Sequence, residues 1–235
     1  RRQRQMCIRD RERILLYMNY DSVPLRDFKE LNDWETVIFV YQSALKQVET
    51  KIDILNGEFQ HRHKYNPIEH VKSRIKTPES IVKKLKRHGY ESSIENMVRY
   101  VNDIAGIRIS CSFTSDIYLI ADMISKQNDL TILARRDYMK NPKKSGYRSY
   151  HMLVTTPVFL SDSIIDTKVE IQIRTVAQDF WATLEHKMHY KFEGDGPDYI
   201  TKELRECARY VAELDTRMEE LNNEIQKYGK LSDKK

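Results

Sequence analysis

Hydrophobic and polar residues alternate with a period of two between positions 168 and 174. Val169, Ile171 and Ile173 fall on one side of this segment. Such alternation is typical of a β-strand with one buried face. The other side carries Glu170, Gln172 and Arg174, and helical spacing follows from Val176 through Phe180, Leu184 and Met188. The pattern therefore predicts a polar row that ends at a strand-to-helix turn, where a carboxylate could serve chemistry.

The same two periods recur along most of the chain. Helical spacing covers residues 33–57, 77–87, 93–100 and 115–126, and strand-like runs cover 68–76, 102–111, 130–135, 152–156 and 168–174. Gly57 is expected to end the first helix. Strands interleaved with helices predict an α/β or α+β fold, with a mixed sheet of about five strands flanked by helices.

The C-terminal part has near-heptad spacing of apolar residues. They are Leu204, Cys207, Val211, Leu214, Met218, Leu221 and Ile225. Such a long helix could pack on its own domain or join a second copy, and we favour oligomerisation. The expected organisation is an N-terminal arm over 1–30 that is poorly ordered or non-native, a main domain over 31–195 and the C-terminal helix over 196–235.

Composition narrows the class of protein only slightly. The chain has 235 residues and a formal net charge of +5, which suggests anionic ligands without separating nucleotides from nucleic acid. Its cysteines are Cys7, Cys111 and Cys207, which are far apart and show no metal-binding spacing. Free thiols, the lack of a signal-peptide core and the lack of a membrane span lead us to expect a cytoplasmic protein.

Basic residues concentrate around the start of the predicted second helix. Arg74 and Lys76 precede Thr77-Pro78, a typical N-cap followed by proline, and Ser80, Lys84 and Arg87 follow on one helix face. Cations at a helix start suit a polyphosphate, although a solvated lysine-rich face is the simpler alternative.

Two further segments carry candidate chemistry. Arg108 lies within an apolar strand that Asp103 precedes, and a buried charge there is costly unless it is paired or reaches a cleft. The loop over 137–151 is basic and aromatic, and it contains Lys143, Tyr147 and His151. An aromatic ring beside cations suits a nucleotide base with its phosphates, but a mobile surface turn would have the same composition.

Taken together, these motifs resemble the alarmone synthetase domain of the RelA/SpoT homologues, in its small stand-alone class. The resemblance rests on Arg74-x-Lys76, on Asp103-Ile104-Ala105-Gly106-x-Arg108, on residues 145–151, and on Glu170-Ile171-Gln172-Ile173-Arg174-Thr175 with Phe180-Trp181-Ala182. It implies a nucleotidyltransferase-like sheet and a magnesium-dependent GTP pyrophosphokinase, which transfers pyrophosphate from ATP to the 3′-hydroxyl of GDP or GTP.

The resemblance also implies roles for individual residues. Arg74 and Arg108 would sandwich the adenine of ATP, and Lys76, Ser80, Lys84 and Arg87 would bind its phosphates. Asp103 and Glu170 would hold Mg²⁺, and Glu170 would be the base for the 3′-hydroxyl.

The guanosine nucleotide would use a second set of residues. Tyr147 would stack on guanine, with Lys143, His151 and either Arg135 or Arg136 near the phosphates. Gln172 would line the acceptor site. Asp179 stands near the guanosine site, where many relatives carry asparagine, so the choice between GDP and GTP stays open.

The resemblance adds the expectation of a tetramer to the homo-oligomer predicted through the C-terminal helix. RNA stays open as a candidate regulator, because RNA binding and synthetase activity are not exclusive. Neither a His-Asp dipeptide nor room for a hydrolase domain before residue 33 is present, so we expect a synthetase only. Two alternatives remain: a basic RNA-binding module, and a nucleotidyltransferase that releases pyrophosphate.

Overall fold

The structure is a computed structural model that describes residues 33–63, 65–191 and 198–232. The arm predicted over 1–30 lies outside these residues. The described elements are, in chain order, α1 Trp34–His63, β1 Ile68–Ile75, α2 Pro78–Arg87, α3 Ile94–Tyr100, β2 Ala105–Cys111, α4 Thr114–Ser125, β3 Thr131–Asp137, β4 Tyr150–Phe159, β5 Ile164–Thr175, α5 Val176–Lys191 and α6 Asp198–Ser232.

The five strands form one mixed sheet in the order β1-β2-β5-β4-β3. Strands β2 and β5 are parallel, and the other neighbouring pairs are antiparallel. This confirms the predicted α+β class with about five strands. The parallel pair is central, so the segment 168–174 lies in the middle of the sheet.

The two faces of the sheet differ sharply in polarity. Ile107, Ile109, Ile171 and Ile173 are all buried on one face, in a core that includes residues of both α1 and α4. The residues between them in the strands, such as Arg108 and Gln172, lie on the opposite face because successive side chains alternate. Covering one face with helices therefore leaves the polar row of the other face available for a site.

Helix α1 runs past the predicted end at Gly57 and continues to His63. The prediction of a stop was wrong. A glycine that ends a helix in the left-handed conformation has a positive φ, and the φ of the exposed Gly57 is not positive. A glycine inside an exposed helix costs only about 1 kcal/mol relative to alanine, which the buried face of α1 can offset.

Helix α6 presents two unlike faces. Ala208 and Asp215 are buried against the body, whereas Leu214, Met218, Leu221 and Ile225 are exposed. The near-heptad apolar residues are therefore mainly on the outer side of the helix. Within the described residues, no helix combines the length and the apolar character that crossing a membrane requires.

Candidate active site

One row of polar side chains crosses all five strands on the open face of the sheet. Backbone pairing aligns Lys72 with Arg108, Arg108 with Gln172, Gln172 with His151, and His151 with Arg136. Because paired residues point to the same face, these five side chains share one surface. Residues that are distant in sequence thus meet where the sequence analysis expected a ligand.

The next row contains Arg74, Gly106 and Glu170. Gly106 separates the arginine from the carboxylate, and a Cβ added to it would meet nothing within 4 Å. The sheet surface between Arg74 and Glu170 is therefore open. Arg74 itself is exposed, as expected for a group that receives a ligand from solvent.

Asp103 lies in the loop before β2 and carries two lysine partners. Lys76 Nζ is 2.5 Å from its Oδ2, and Lys84 Nζ is 2.6 Å from its Oδ1. Burial alone would raise the pKa of Asp103, but the two ammonium groups outweigh it and lower that pKa to about 2. Lys84 lies on α2, which begins after the N-cap Thr77; the Thr77 side chain accepts from the Ser80 amide.

Ser80 and Arg87 lie on the same helix as Lys84 and are both exposed. Ser80 Oγ accepts a hydrogen bond from Thr77 Oγ1 at 3.0 Å, at the start of α2. Arg87 is the last residue of that helix. The predicted phosphate-binding set is thus partly assembled, with its two lysines on Asp103 and its serine and arginine facing solvent.

Glu170 is held by its own neighbours in the sheet. Gln172 Nε2 donates to its Oε2 at 2.9 Å, and His151 Nδ1 is 3.5 Å from its Oε1. Burial would raise the pKa of Glu170, but its contact with His151 and the hydrogen bond from Gln172 lower it, despite the nearby negative charge of Asp103. Glu170 is therefore ionised at neutral pH and able to accept a proton.

Tyr147 and His151 form the other side of the site. The Tyr147 hydroxyl is 2.9 Å from His151 Nε2, and Lys143 Nζ lies 4.7 Å from the centre of the Tyr147 ring. Burial lowers the pKa of His151 and raises that of Tyr147. Both groups are thus neutral near pH 7, and His151 lies between the Tyr147 hydroxyl and the ionised Glu170.

The loop that carries Tyr147 is shaped by its own backbone. The Gly146 amide donates to the Lys143 carbonyl at 2.8 Å, and Gly146 has a φ of +91°. A side chain is disfavoured in this conformation. A Cβ on Gly146 would also lie 2.5 Å from the Cβ of Ala208 in α6, so the loop packs directly on that helix.

The two adjacent arginines of β3 are on different faces of the sheet. Arg136 shares the row of His151, whereas the Nη2 of Arg135 donates to Ser125 Oγ of α4 at 3.0 Å. Helix α4 covers the apolar face of the sheet. Of the two arginines considered for the acceptor phosphates, the structure therefore brings Arg136 to the site and turns Arg135 away.

Arg174 and Lys72 also lie at the site, although sequence reasoning gave neither a role. Arg174 is buried, its Nε is 3.2 Å from Asp179 Oδ1, and Arg108 Nη1 is 3.5 Å from the same oxygen. Lys72 Nζ is 3.9 Å from Asp179 Oδ2. The alternation of β5 already placed Arg174 beside Gln172, but nothing in the sequence showed that helix α5 would cover it.

Asp103 and Glu170 have the donor chemistry that a magnesium ion prefers, since both are ionised oxygen ligands. The described part of the chain contains no group of three or more His, Cys, Asp or Glu side chains arranged for a metal. Two carboxylates completed by substrate phosphates are a common arrangement for this ion, so the residues fit it.

The site as a whole combines cations, two ionised acids and the Tyr147 ring, which is in edge contact with Tyr138 and His151. This arrangement can neutralise and orient phosphate groups, and it offers a carboxylate for proton removal. It contains the parts expected for transfer between two nucleotides, a reaction that requires no nucleophilic cysteine or serine.

Comparison with known proteins identifies the family of this chain. A family model described as the region found in RelA/SpoT proteins matches residues 73–195. GTP pyrophosphokinase YwaC of Bacillus subtilis is 45% identical over 195 residues, which is 83% of this chain and 93% of that protein.

Solved structures show the same relationship. Small alarmone synthetase 2 of B. subtilis has a TM-score of 0.74 and 44% identity, over 81% of this chain and 99% of that chain. Small alarmone synthetase 1 of B. subtilis, bound to its product pppGpp, has a TM-score of 0.76 and 34% identity, over 82% and 98%. These matches, together with the family model, show that the chain belongs to the RelA/SpoT family.

Proposed function

We propose that this protein is a (p)ppGpp synthetase that transfers the β,γ-pyrophosphate of ATP to the 3′-hydroxyl of GDP or GTP. The observation that carries the proposal is that Asp103, with its two lysine partners, lies close enough to Glu170 to affect its pKa, and that Glu170 lies beside the hydrogen-bonded Tyr147 and His151. The family membership and the product bound to small alarmone synthetase 1 of B. subtilis support it.

The donor nucleotide is assigned to the β1 and β2 side of the sheet. Arg74 and Arg108 lie in neighbouring rows of the β1–β2 pairing, and both are on the open face of the sheet. Planar guanidinium groups suit stacking on adenine. Lys76 and Lys84 lie at one end of this surface, where triphosphate oxygens would compete with Asp103 for their ammonium groups.

The acceptor nucleotide is assigned to the side of β4 and the loop before it. Tyr147 offers a ring for guanine, Lys143 and Arg136 provide donors for the phosphates of the guanosine nucleotide, and His151 lies beside them. Gln172 lies between this set and Arg108 in the same row, so it lines the boundary of the two nucleotides.

In the reaction, the acceptor 3′-oxygen bonds to the β-phosphorus of ATP as the bond from that phosphorus to the α,β-bridging oxygen breaks. AMP leaves with the bridging oxygen, and Glu170 takes the proton of the hydroxyl. The chain supplies position and charge, which suffice for a loose phosphoryl-type transition state. Arg108, Lys76 and Lys84 hold the donor while Tyr147 and His151 hold the acceptor.

Magnesium is the cofactor that this chemistry favours. Asp103 and Glu170 would hold it, and it would neutralise charge on the transferred phosphates. The pKa of each carboxyl group is already lowered, so neither needs to lose a proton at neutral pH before it binds the ion.

The test uses purified protein, labelled ATP, GDP or GTP, and Mg²⁺, with separation of the products. The proposal expects AMP together with a guanosine carrying a 3′-pyrophosphate, and expects Glu170→Gln to remove both products while the circular dichroism spectrum stays unchanged. Release of pyrophosphate would instead indicate a nucleotidyltransferase. Normal turnover by Glu170→Gln would refute the role of Glu170.

An RNA-binding module is the weaker reading because Asp103 and Glu170 are ionised in the middle of the basic surface. Negative charge there opposes a groove that follows phosphates. RNA binding that persists in Glu170→Gln and falls steeply with salt, without any alarmone formed by the wild type, would favour that reading.

The exposed apolar side of α6 supports the further proposal of a homo-oligomer. Leu214, Met218, Leu221 and Ile225 lie on successive turns of one helix, and all are at least 46% exposed. A second copy of the same helix is the natural partner for a near-heptad stripe, and the resemblance adds the expectation of a tetramer.

A further inference from the structure

Arg174 is the most deeply buried cation at the site. Its side chain is 2% exposed, and it is among the largest fully buried side chains of the described residues. A guanidinium group keeps its charge in a protein, so its burial is costly unless other groups compensate for it. Its surroundings therefore carry information about what the charge does.

Three groups surround the Arg174 guanidinium. Asp179 Oδ1 is 3.2 Å from Nε, Gln172 Oε1 accepts from Nη2 at 3.4 Å, and the guanidinium carbon lies 5.8 Å from the centre of the Tyr147 ring. Through Gln172, which donates to Glu170, Arg174 is one step from the candidate base. Through Tyr147 it supports the ring proposed to stack on guanine.

Asp179 extends this contact toward the donor side. The oxygen that faces Arg174 also lies 3.5 Å from Arg108 Nη1, and the Asp179 side chain is 13% exposed. These are ion pairs without hydrogen-bond geometry, because Asp179 Oδ1 and the Nε atoms of both arginines have no hydrogen-bond partner. One carboxylate oxygen thus holds two guanidinium groups that belong to different strands.

We propose that the Arg174–Asp179 pair is a positioning element that aligns the donor and acceptor halves of the site. This inference rests on the proposed function. Asp179 holds Arg108 for the donor base, and Arg174 holds Tyr147 and Gln172 for the acceptor. The pair acts through these neighbours and is not assigned a contact with the reacting atoms.

The geometry separates this role from direct recognition of guanine by Asp179. A carboxylate accepts hydrogen bonds and donates none, whereas asparagine offers a donor and an acceptor. Asp179 Oδ1 already faces two cations in a buried position. The negative charge of Asp179 is therefore neutralised by these two arginines. We expect removal of that charge to weaken binding of the donor nucleotide as well as the acceptor nucleotide.

The test is a double-mutant cycle with Asp179→Asn and Arg174→Gln. Asp179→Asn keeps the side-chain shape, and we expect it to raise the KM values for ATP and for GDP by about tenfold, a size typical of coupled neighbours. Arg174→Gln should raise mainly the KM for GDP. The double variant should be no worse than the worse single variant, because each substitution removes the same ion pair.

Lys126→Gln is the matched control, since it breaks a lysine–aspartate pair at the end of α4, on the opposite side of the sheet. The Lys126 side chain is 71% exposed and its Nζ is 2.5 Å from Asp122 Oδ2, so we expect the KM values of this variant to stay within about twofold of wild type. If a single variant fails to fold, the double variant still tests the idea, because replacing both partners of a buried pair is tolerated better than removing one.

The readouts separate this inference from the proposed function. Binding of a non-hydrolysable ATP analogue reports on Arg108 without turnover, and it should weaken in Asp179→Asn. Unchanged analogue binding with a higher KM for GDP alone would overturn the positioning role and leave a direct guanine contact. Additive effects in the cycle would overturn it as well, whereas a wild type that forms no AMP would refute the proposed function instead.

Discussion

Asp103 gives the sharpest prediction at the scale of single residues, because two lysines share one carboxylate. Lys84→Met leaves Lys76 as its remaining close cation, so the pKa of Asp103 should rise from about 2 toward its ordinary value. The donor triphosphate loses a cation as well. We expect the KM for ATP to rise by roughly tenfold, the size of one charge-assisted hydrogen bond.

Kinetics of AMP formation measure this effect, and Lys86→Met is the control. Lys86 is on the same helix but is exposed, beside Pro78, Val82 and Lys83 and away from Asp103. It should keep the wild-type KM. An equal rise in both variants would indicate a general loss of positive charge and would remove Lys84 from the donor site.

His151 leads to a prediction about stability and pH. Burial lowers the pKa of His151 below 6.5, so the unfolded chain takes up this proton at a higher pH than the folded chain. Between the two pKa values the unfolded state binds more protons, and the free energy of unfolding therefore falls as the pH drops below about 6.5. His151→Gln should remove this contribution.

Urea unfolding at about pH 7.5 and about pH 5.5 checks the prediction, since both values lie near the histidine range. The wild type should lose more stability between them than His151→Gln does. His70→Gln, an exposed histidine on β1, should behave like the wild type. Equal losses in the wild type and His151→Gln would contradict a buried neutral His151.

Single residues also show where sequence reasoning ends at this site. The alternation in β5 correctly placed Glu170, Gln172 and Arg174 together, whereas the choice between Arg135 and Arg136 was left open. Neighbours in a strand point to opposite faces, so that choice depends on register, which long-range pairing determines. The residue roles themselves came from the resemblance and remain predictions.

At the scale of elements, a substitution at Gly57 tests whether α1 is continuous beyond its predicted end. A Cβ on Gly57 would meet nothing within 4 Å, and the residue is exposed within a continuous helix. Gly57→Ala should raise the free energy of unfolding by about 0.5–1 kcal/mol, as expected in a helix interior. Thermal unfolding measures it, and a loss of stability would show that the helix ends at this residue.

Gly146 tests how α6 and the Tyr147 loop depend on each other. Gly146→Ala should lower the free energy of unfolding for two reasons. Residue 146 has a φ of +91°, and the added Cβ would lie 2.5 Å from the Cβ of Ala208. Gly89 has a φ of +79° but open space around it, so Gly89→Ala measures the backbone cost alone, about 1–2 kcal/mol. Gly146→Ala should cost more and should also raise the KM for GDP.

Ala208→Gly combined with Gly146→Ala separates the two costs by unfolding and kinetics. Ala208→Gly removes the clash with α6 but has its own cost as a glycine in a helix, so it is also measured alone. The loss of stability from Ala208→Gly alone to the double variant should approach that of Gly89→Ala. Recovery of the KM for GDP would show that the helix positions the loop. An identical KM in wild type and Gly146→Ala would contradict that link.

The elements were more predictable than their packing. All five strands and the long last helix follow from local periodicity, because a one-sided strand and an amphipathic helix each carry their own pattern. Periodicity identifies apolar residues but not which of them become covered. Phe180 and Leu184 are therefore exposed on α5, while Trp181 and Ala182 are buried.

At the scale of the whole molecule, hydrogen bonds on its inner side fix α6 to the domain. Asp215 is buried and accepts from Thr175 Oγ1 at 2.8 Å and from Gln178 Nε2 at 2.9 Å. Trp181 Nε1 donates to the Leu204 carbonyl at 2.9 Å. Because these contacts hold one side of the helix, its apolar stripe faces outward in a defined orientation.

An outward apolar stripe in a fixed orientation predicts self-association through α6. Leu221→Glu places a charge in the middle of the stripe, and we expect it to lower the molecular mass measured by light scattering after size exclusion. Asn223→Glu adds the same charge on the same turn but on a different face, so it should keep the wild-type mass. A wild type that is monomeric at all concentrations, or equal masses for the two variants, would rule out this face as the interface.

The dissociated variant also tests whether one subunit carries a complete site. If Leu221→Glu is dissociated yet still forms AMP with the wild-type KM for both nucleotides, each subunit carries a complete site, as expected when every proposed site residue lies within one chain.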